Sequence, residues 1–303
     1  MKLAIAVCTY RRPDGIARLF DALESCEVPD DVDVSFIVVD NHGDLQVPPA
    51  PQGWPISAVV EGEQGIPFAR NRAVLLAREL KADAVAFFDD DEQPRPDCLV
   101  ELRRVWAVSN RAVVQGGSMP TFIEKPPAWV VDGGYFQRDM PDTESEIEPF
   151  QARTSNVMIP IELFDVVDPP FDVRLRFTGG SDTYLFRTAA QHGHRFVAAP
   201  LAIVDELVPP SRVSVRWLWR RQYRVGWGRS YHLRSAQPSF GRRLKRCVAG
   251  LASVLKSPFV LGSHLTSPRL GFVEAGRSVA YGAGLIVGLV GPRPSEYKDV
   301  HGS

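Results

Sequence analysis

Short apolar runs alternate with stretches of helical periodicity through the first third of the chain. Residues 2–9 (KLAIAVCT) form an apolar run that reads as a buried strand, followed by a polar break at 10–13. Residues 15–25 place Ile16, Leu19, Phe20 and Leu23 at helical spacing. A second apolar run at 32–40 (VDVSFIVVD) is rich in β-branched residues, and a proline-rich loop follows it. Residues 57–60 predict a short strand, 68–80 a strong helix, and 84–88 (AVAFF) a third buried strand ending at Asp89. This alternation is the pattern of a parallel α/β sheet. Ligands of such sheets bind beyond the carboxyl ends of the strands. Three strands here end in polar groups: Thr9-Tyr10, Asp40-Asn41 and Asp89-Asp90-Asp91.

The middle of the chain is less regular. Strands are predicted at 112–117, 154–160 and 196–204, and a helix at 181–192. Residues 120–149, with prolines, glycines and an acidic cluster at 139–148, read as a long loop of the lid or binding kind. Apolar segments at 244–255, 259–265 and 279–290 are broken by Gly and Pro. They read as amphipathic or hairpin-like helices in a membrane interface, with a helical subdomain packed on the rest of the chain as the alternative. No uncharged stretch reaches the roughly 20 residues that span a bilayer, and the start of the chain lacks the long apolar core and cleavage site of a secretory signal.

Charge divides the molecule. The 303 residues carry 35 basic and 36 acidic side chains, a total that conceals a boundary. Residues 1–206 hold 33 acidic and 19 basic residues, whereas 207–273 hold 13 basic residues and no acidic one. Two regions follow: an acidic body at 1–206 and a basic-aromatic, amphipathic helical region at 207–303. The four cysteines are far apart, which argues against a zinc knuckle or disulfide framework and fits a reducing compartment.

Three motifs carry chemistry. In Phe87-Phe88-Asp89-Asp90-Asp91-Glu92, four carboxylates at a strand end repel one another, and a hard divalent cation would relieve them. Gly65-Ile66-Pro67 opens a helix whose first turns hold Arg70, Asn71 and Arg72, a place suited to anions. Gly179-Gly180-Ser181-Asp182 puts a carboxylate near a helix start, where it serves either as a general base or as a helix cap. His192 and His194 read as a helix end rather than as metal ligands.

Together with IAVCTYRRP (5–13) and IVVDN (37–41), the segments GIPFARNRA (65–73), FFDDDEQP (87–94) and GGSDTYLFRTAAQHGHRF (179–196) resemble the family 2 glycosyltransferases of the GT-A fold, in particular the bacterial exopolysaccharide transferases of the succinoglycan type. The resemblance covers residues 1–206. It implies a Rossmann-like mixed sheet flanked by helices. Thr9, Tyr10 and Arg12 would border the nucleotide base, Asp40 would bond base or ribose, and Arg70 and Asn71 would shape the donor site. Asp89, Asp90 and Asp91 occupy the family's D-x-D motif, with Asp91 the direct ligand of Mg²⁺ or Mn²⁺ and Asp89 beside it. Asp182 matches the catalytic base, although Ser181 stands where the family usually has Glu. The implied reaction is inverting transfer of a sugar from a nucleotide-diphosphate sugar to a glycan hydroxyl.

In 212–246, eleven basic residues interleave with Trp217, Trp219, Tyr223, Trp227 and Tyr231. This composition suits an anionic membrane surface, single-stranded nucleic acid, or a pyrophosphate-linked saccharide. By resemblance, Trp217, Arg220, Arg221, Arg224 and Trp227 lie on the phosphate and acceptor side. The expected partners are a nucleotide-sugar donor, a lipid-pyrophosphate-linked glycan and an anionic membrane, with no nucleic acid. The expected location is the cytoplasmic face of a bacterial inner membrane. The alternatives are a soluble enzyme tailoring a small molecule, a phosphatase with Asp-x-Asp after a strand, and a non-catalytic membrane or nucleic-acid binder. Glu92-Gln93-Pro94 after the motif argues against the phosphatase.

Overall fold

The computed structural model describes residues 1–44, 46–137, 140–176, 179–235 and 238–291. Its elements are β1 (Lys2–Thr9), α1 (Pro13–Glu24), β2 (Asp33–Asp40), β3 (Ile56–Val60), α2 (Ile66–Glu79), β4 (Ala84–Asp89), β5 (Glu92–Pro94), α3 (Cys98–Val108), β6 (Val113–Phe122), α4 (Ala128–Asp132), β7 (Val157–Pro160), α5 (Ser181–Gln191) and β8 (Phe196–Val208), then α6 (Val215–Ser235), α7 (Phe240–Leu255), α8 (Ser257–Ser263) and α9 (Pro268–Val290).

One sheet has the strand order β3-β2-β1-β4-β7-β6-β8-β5. β1 to β4 pair in parallel, as the strand–helix alternation predicts. The second half departs from that pattern, because β7 runs antiparallel to both β4 and β6, and β5 antiparallel to β8. The sheet is therefore mixed. Successive strand residues point to opposite faces, so each strand feeds two cores. Ile5, Val7, Val38 and Phe88 pack under α1 and α3. Ala4, Ala6, Ile37, Val39 and Phe87 pack under α2 and α5. α3 lies in a stretch for which the sequence predicts no element, yet Cys98, Leu99, Leu102, Val105 and Trp106 bury one helical face. β6 extends five residues past the predicted end at 117, with a register shift between Gly116 and Gly117, so the long loop begins later and contains α4.

The four C-terminal helices pack on one another and on the sheet domain. α6 and α9 meet at glycines: a Cβ on Gly284 would stand 2.2 Å from the Tyr223 carbonyl oxygen, and one on Gly226 2.3 Å from that of Tyr281. Gly250 of α7 and Gly282 of α9 meet in the same way. Leu218 and Val273 close against Trp129, Val130 and Tyr135, which joins the helices to the α4 region. α9, at 23 residues, exceeds the apolar run seen at 279–290. Among the described residues it is the one helix long and apolar enough to cross a membrane, and part of its surface is buried in protein.

Candidate functional site

The carboxyl ends of β1, β2 and β4 open onto a cavity of about 420 Å³. Asp90 sits in the turn between β4 and β5 and is buried. Its carboxylate accepts from Thr9 Oγ1 at 2.8 Å and from Arg12 Nη1 at 2.7 Å. α1 begins hard against this turn, because a Cβ at Gly15 would lie 2.4 Å from the Asp90 carbonyl oxygen. Burial raises the Asp90 carboxyl above its ordinary value, and Arg12 opposes that shift. Asp90 thus ties β1, α1 and the acidic turn together.

Asp91 accepts from Arg212 Nη2 at 2.8 Å and lies 3.3 Å from Arg12 Nη1. Asp89 is more open, with 43% of its side chain exposed and Arg70 at 3.5 Å. The fourth carboxylate turns away: Glu92 is buried and accepts from the Asp89 amide at 3.0 Å. Repulsion within the motif is therefore answered in part by three arginines, from the N-cap of α1, from α2 and from the segment after β8. Asp89 and Asp91 still present oxygen donors to the cavity, which fits a Mg²⁺ or Mn²⁺ site of one or two carboxylates completed by phosphate oxygens and water. Among the described residues no three His, Cys, Asp or Glu side chains gather as a metal site on their own.

Across the cavity, Gly179 and Gly180 adopt φ of 73° and 89°, a left-handed conformation that glycine takes without strain. They deliver Asp182 in the first turn of α5, where Oδ1 accepts from the Thr183 amide at 2.7 Å. Gly180, not Asp182, is the cap residue. Asp182 lines the same cavity as Asp89, Asp90 and Asp91.

The wall near β1 and β2 is aromatic and polar. Tyr10 meets His42 edge-on with ring centroids 5.4 Å apart, and its hydroxyl accepts from Gln64 Nε2 at 2.9 Å. Asn41 holds the 61–65 loop through the carbonyls of Glu61 and Glu63 and the Gly65 amide. On the opposite wall, Trp217 stacks on Phe136 at 5.7 Å, and the Arg221 guanidinium lies 5.4 Å from the Trp217 ring centroid. Burial and the charges of Arg153, Arg224 and Arg212 lower Arg221 to about 10, against the pull of Glu206. Burial also pushes the Cys8 thiol up to about 12, so it is no thiolate nucleophile at neutral pH.

Not every residue expected at the site reaches it. Thr9, Tyr10, Arg12, Arg70, Asp89, Asp90, Asp91, Asp182, Trp217, Arg221 and Arg224 line the cavity. Asp40 is turned to the His42 and Gly43 amides, and Asn71 exchanges two hydrogen bonds with the Phe171 backbone. Spacings of four and three keep Trp217, Arg221 and Arg224 on one helix face. Arg220 falls on the exposed side, and Trp227 is buried against Tyr231. Sequence reasoning missed Gln64, Arg153, Thr154 and Arg212 at the cavity. The antiparallel direction of β7 brings residues 153–155 to this end of the sheet. His192 accordingly lies at the end of α5, as its C-terminal cap residue.

The glycosyl transferase family 2 model matches residues 4–159, more than half of the chain and all of the acidic turn. The chain belongs to glycosyl transferase family 2. It is therefore a glycosyltransferase. Succinoglycan biosynthesis protein ExoM of Rhizobium meliloti (strain 1021) is 28% identical over 232 residues, covering 75% of this chain and 73% of that protein. The crystal structure of S. aureus TarS 1–349 in complex with UDP aligns with a TM-score of 0.54 at 14% identity, covering 95% of this chain and 91% of that one. A longer S. aureus TarS structure aligns with a TM-score of 0.52 at 13% identity over 95% of this chain and 55% of that one. The fold is thus of the GT-A kind found in these transferases.

Proposed function

We propose that this transferase moves a sugar from a nucleotide-diphosphate sugar to a hydroxyl of a lipid-linked glycan, with inversion, in exopolysaccharide synthesis at an anionic membrane surface. The observation that carries this reading is that the acidic turn and Asp182, distant in sequence, line one cavity. The names of ExoM and of the UDP-bound TarS complex support the polysaccharide context and the nucleotide donor.

The Tyr10–Gln64 wall suits a nucleotide base and ribose. Asp91 and Asp89 would hold Mg²⁺ or Mn²⁺, which when bound supplies charge neutralisation to the departing diphosphate. Arg12, Arg70 and Arg212 add fixed positive charge around the same carboxylates. Asp182 takes the proton of the acceptor hydroxyl as its oxygen forms a bond to the anomeric carbon. The bond from that carbon to the diphosphate oxygen breaks, and its electron pair leaves with the nucleotide.

The membrane reading rests on α7. Phe240, Leu244, Val248, Leu251 and Leu255 share one helix face and are exposed, with Arg242, Arg243 and Lys245 exposed beside them. Such a helix lies in an anionic interface. The enzyme then works peripherally, on the cytoplasmic face of a bacterial inner membrane.

A panel of nucleotide sugars with lipid-linked acceptors tests the proposal. Release of nucleoside diphosphate in the presence of Mn²⁺ or Mg²⁺ is expected. Neither turnover nor nucleotide binding with either metal would overturn it.

A further inference from the structure

A second cleft, of about 570 Å³, opens between the 134–137 turn, α6, α7 and α9. Arg153 and Arg221 line both this cleft and the first cavity, so the two are contiguous. The lining is strongly cationic: Arg153, Arg221, Arg229, Lys256 and Arg277 surround one carboxylate, Glu274. Two of these cations are held on aromatic rings. The Arg277 guanidinium lies 4.7 Å from the Tyr135 ring centroid, and that of Arg229 5.6 Å from Tyr281, with a hydrogen bond of 2.6 Å to its hydroxyl. Rings of this kind fix the plane of a guanidinium, and the Arg277 fork already meets one oxyanion, Glu274 Oε1 at 2.5 Å. Buried atoms also remain unsatisfied here, since Arg277 Nε has no hydrogen-bond partner. Glu274 pairs with Arg277 at 2.5 Å, and with four further cations lining the cleft the excess of positive charge fits a multiply charged anion.

The cleft has a direction. Its inner end joins the cavity at Arg221, which lies on the Trp217 ring. Its outer end is marked by Lys256, directly after α7, whose far face carries the exposed apolar stripe. An acceptor with a lipid tail, a phosphorylated link and a sugar would meet these features in that order.

We propose that the second cleft binds the phosphate or pyrophosphate that joins the acceptor glycan to its lipid. Arg229, Lys256 and Arg277 grip this link while the sugar hydroxyl extends past Arg221 toward Asp182. The inference rests on the lipid-linked acceptor proposed above. It adds the place on the protein where the link is held.

The test uses the full chain and fluorescent farnesyl pyrophosphate, with the affinity read by anisotropy. Wild type is expected to bind, and Lys256→Glu and Arg229→Gln to weaken binding at least tenfold each. Farnesol should not compete, and inorganic pyrophosphate should compete more weakly than unlabelled farnesyl pyrophosphate. Equal binding by both variants would overturn the proposal, as would loss of the probe in Asp91→Ala with full retention in the cleft variants, because the probe would then occupy the donor cavity. Competition by phosphatidylglycerol vesicles as strong as by farnesyl pyrophosphate would also overturn it, since the cleft would then take any lipid headgroup. Nucleoside diphosphate binding is measured by thermal shift on the same preparations. A chain stabilised by nucleotide but indifferent to the probe sinks the cleft alone, whereas one that binds the probe and no nucleotide sinks the donor reading alone.

Discussion

The two cavities share Arg153 and Arg221 but are charged on opposite plans. In the first, carboxylates and arginines are interleaved: Arg12 on Asp90 and Asp91, Arg212 on Asp91, Arg70 beside Asp89. In the second, cations outnumber a single carboxylate. An interleaved site can exchange partners, so a metal-bound diphosphate can take arginines from the aspartates without leaving either sign uncompensated. The second cleft holds the pair Arg277–Glu274 at 2.5 Å, and the positive charge beyond that pair suits an anionic ligand. On the proposed reading, the difference teaches how one enzyme would hold two anionic substrates end to end: the donor would meet a site that performs chemistry, and the acceptor's link a site that only grips.

The contrast can be attacked in order of expected effect. Asp182→Asn should reduce transfer by about 10²–10⁴, the span of general-base catalysis, while leaving the nucleotide-induced thermal shift intact. Retention of most activity would remove Asp182 from the mechanism. Next, Gly284→Ala forces a methyl to within 2.2 Å of the Tyr223 carbonyl oxygen and should destabilise the α6–α9 pair by about 1–3 kcal/mol. Denaturant melts check this, and an unchanged midpoint would mean that these helices can separate freely. The smallest effect on stability belongs to α7. Leu251→Gln changes an exposed residue and should shift stability by less than about 0.5 kcal/mol. Co-sedimentation with phosphatidylglycerol vesicles should nevertheless fall. If it does not, the apolar stripe is not what meets the bilayer.

Much of the first cavity was legible in the sequence, because its parts lie where apolar runs stop. Thr9, Asp89 and Asp91 each end or follow a predicted strand, and the glycine pair before Asp182 needs the left-handed backbone that it adopts. The resemblance implied a mixed sheet, as found, but not which strand runs backward. With a wholly parallel sheet, the start of the strand near 157 would sit at the opposite end from Asp89. Its antiparallel run instead brings Arg153 and Thr154 into the cavity. Asp40 and Asn71 illustrate the converse, since residue type and position suggested ligand contacts while nearby backbone amides and carbonyls took their side chains. The basic helix read correctly as basic, but only its 3.6-residue period separates Trp217, Arg221 and Arg224 from Arg220 and Trp227. The second cleft was legible only in part, through Arg221 and Arg229 of the basic segment read as suited to a pyrophosphate-linked saccharide. It assembles Arg153, Arg229, Lys256 and Arg277 from four places, and no local pattern links them.

The central claim is that the acidic turn binds a nucleoside diphosphate with a divalent cation. It is tested most directly by the thermal shift of wild type and Asp91→Ala with nucleoside diphosphates, with and without Mn²⁺. The account predicts stabilisation of the wild type that grows with Mn²⁺, and loss of the Mn²⁺-dependent part in Asp91→Ala. An equal Mn²⁺-dependent shift in the two proteins would contradict it.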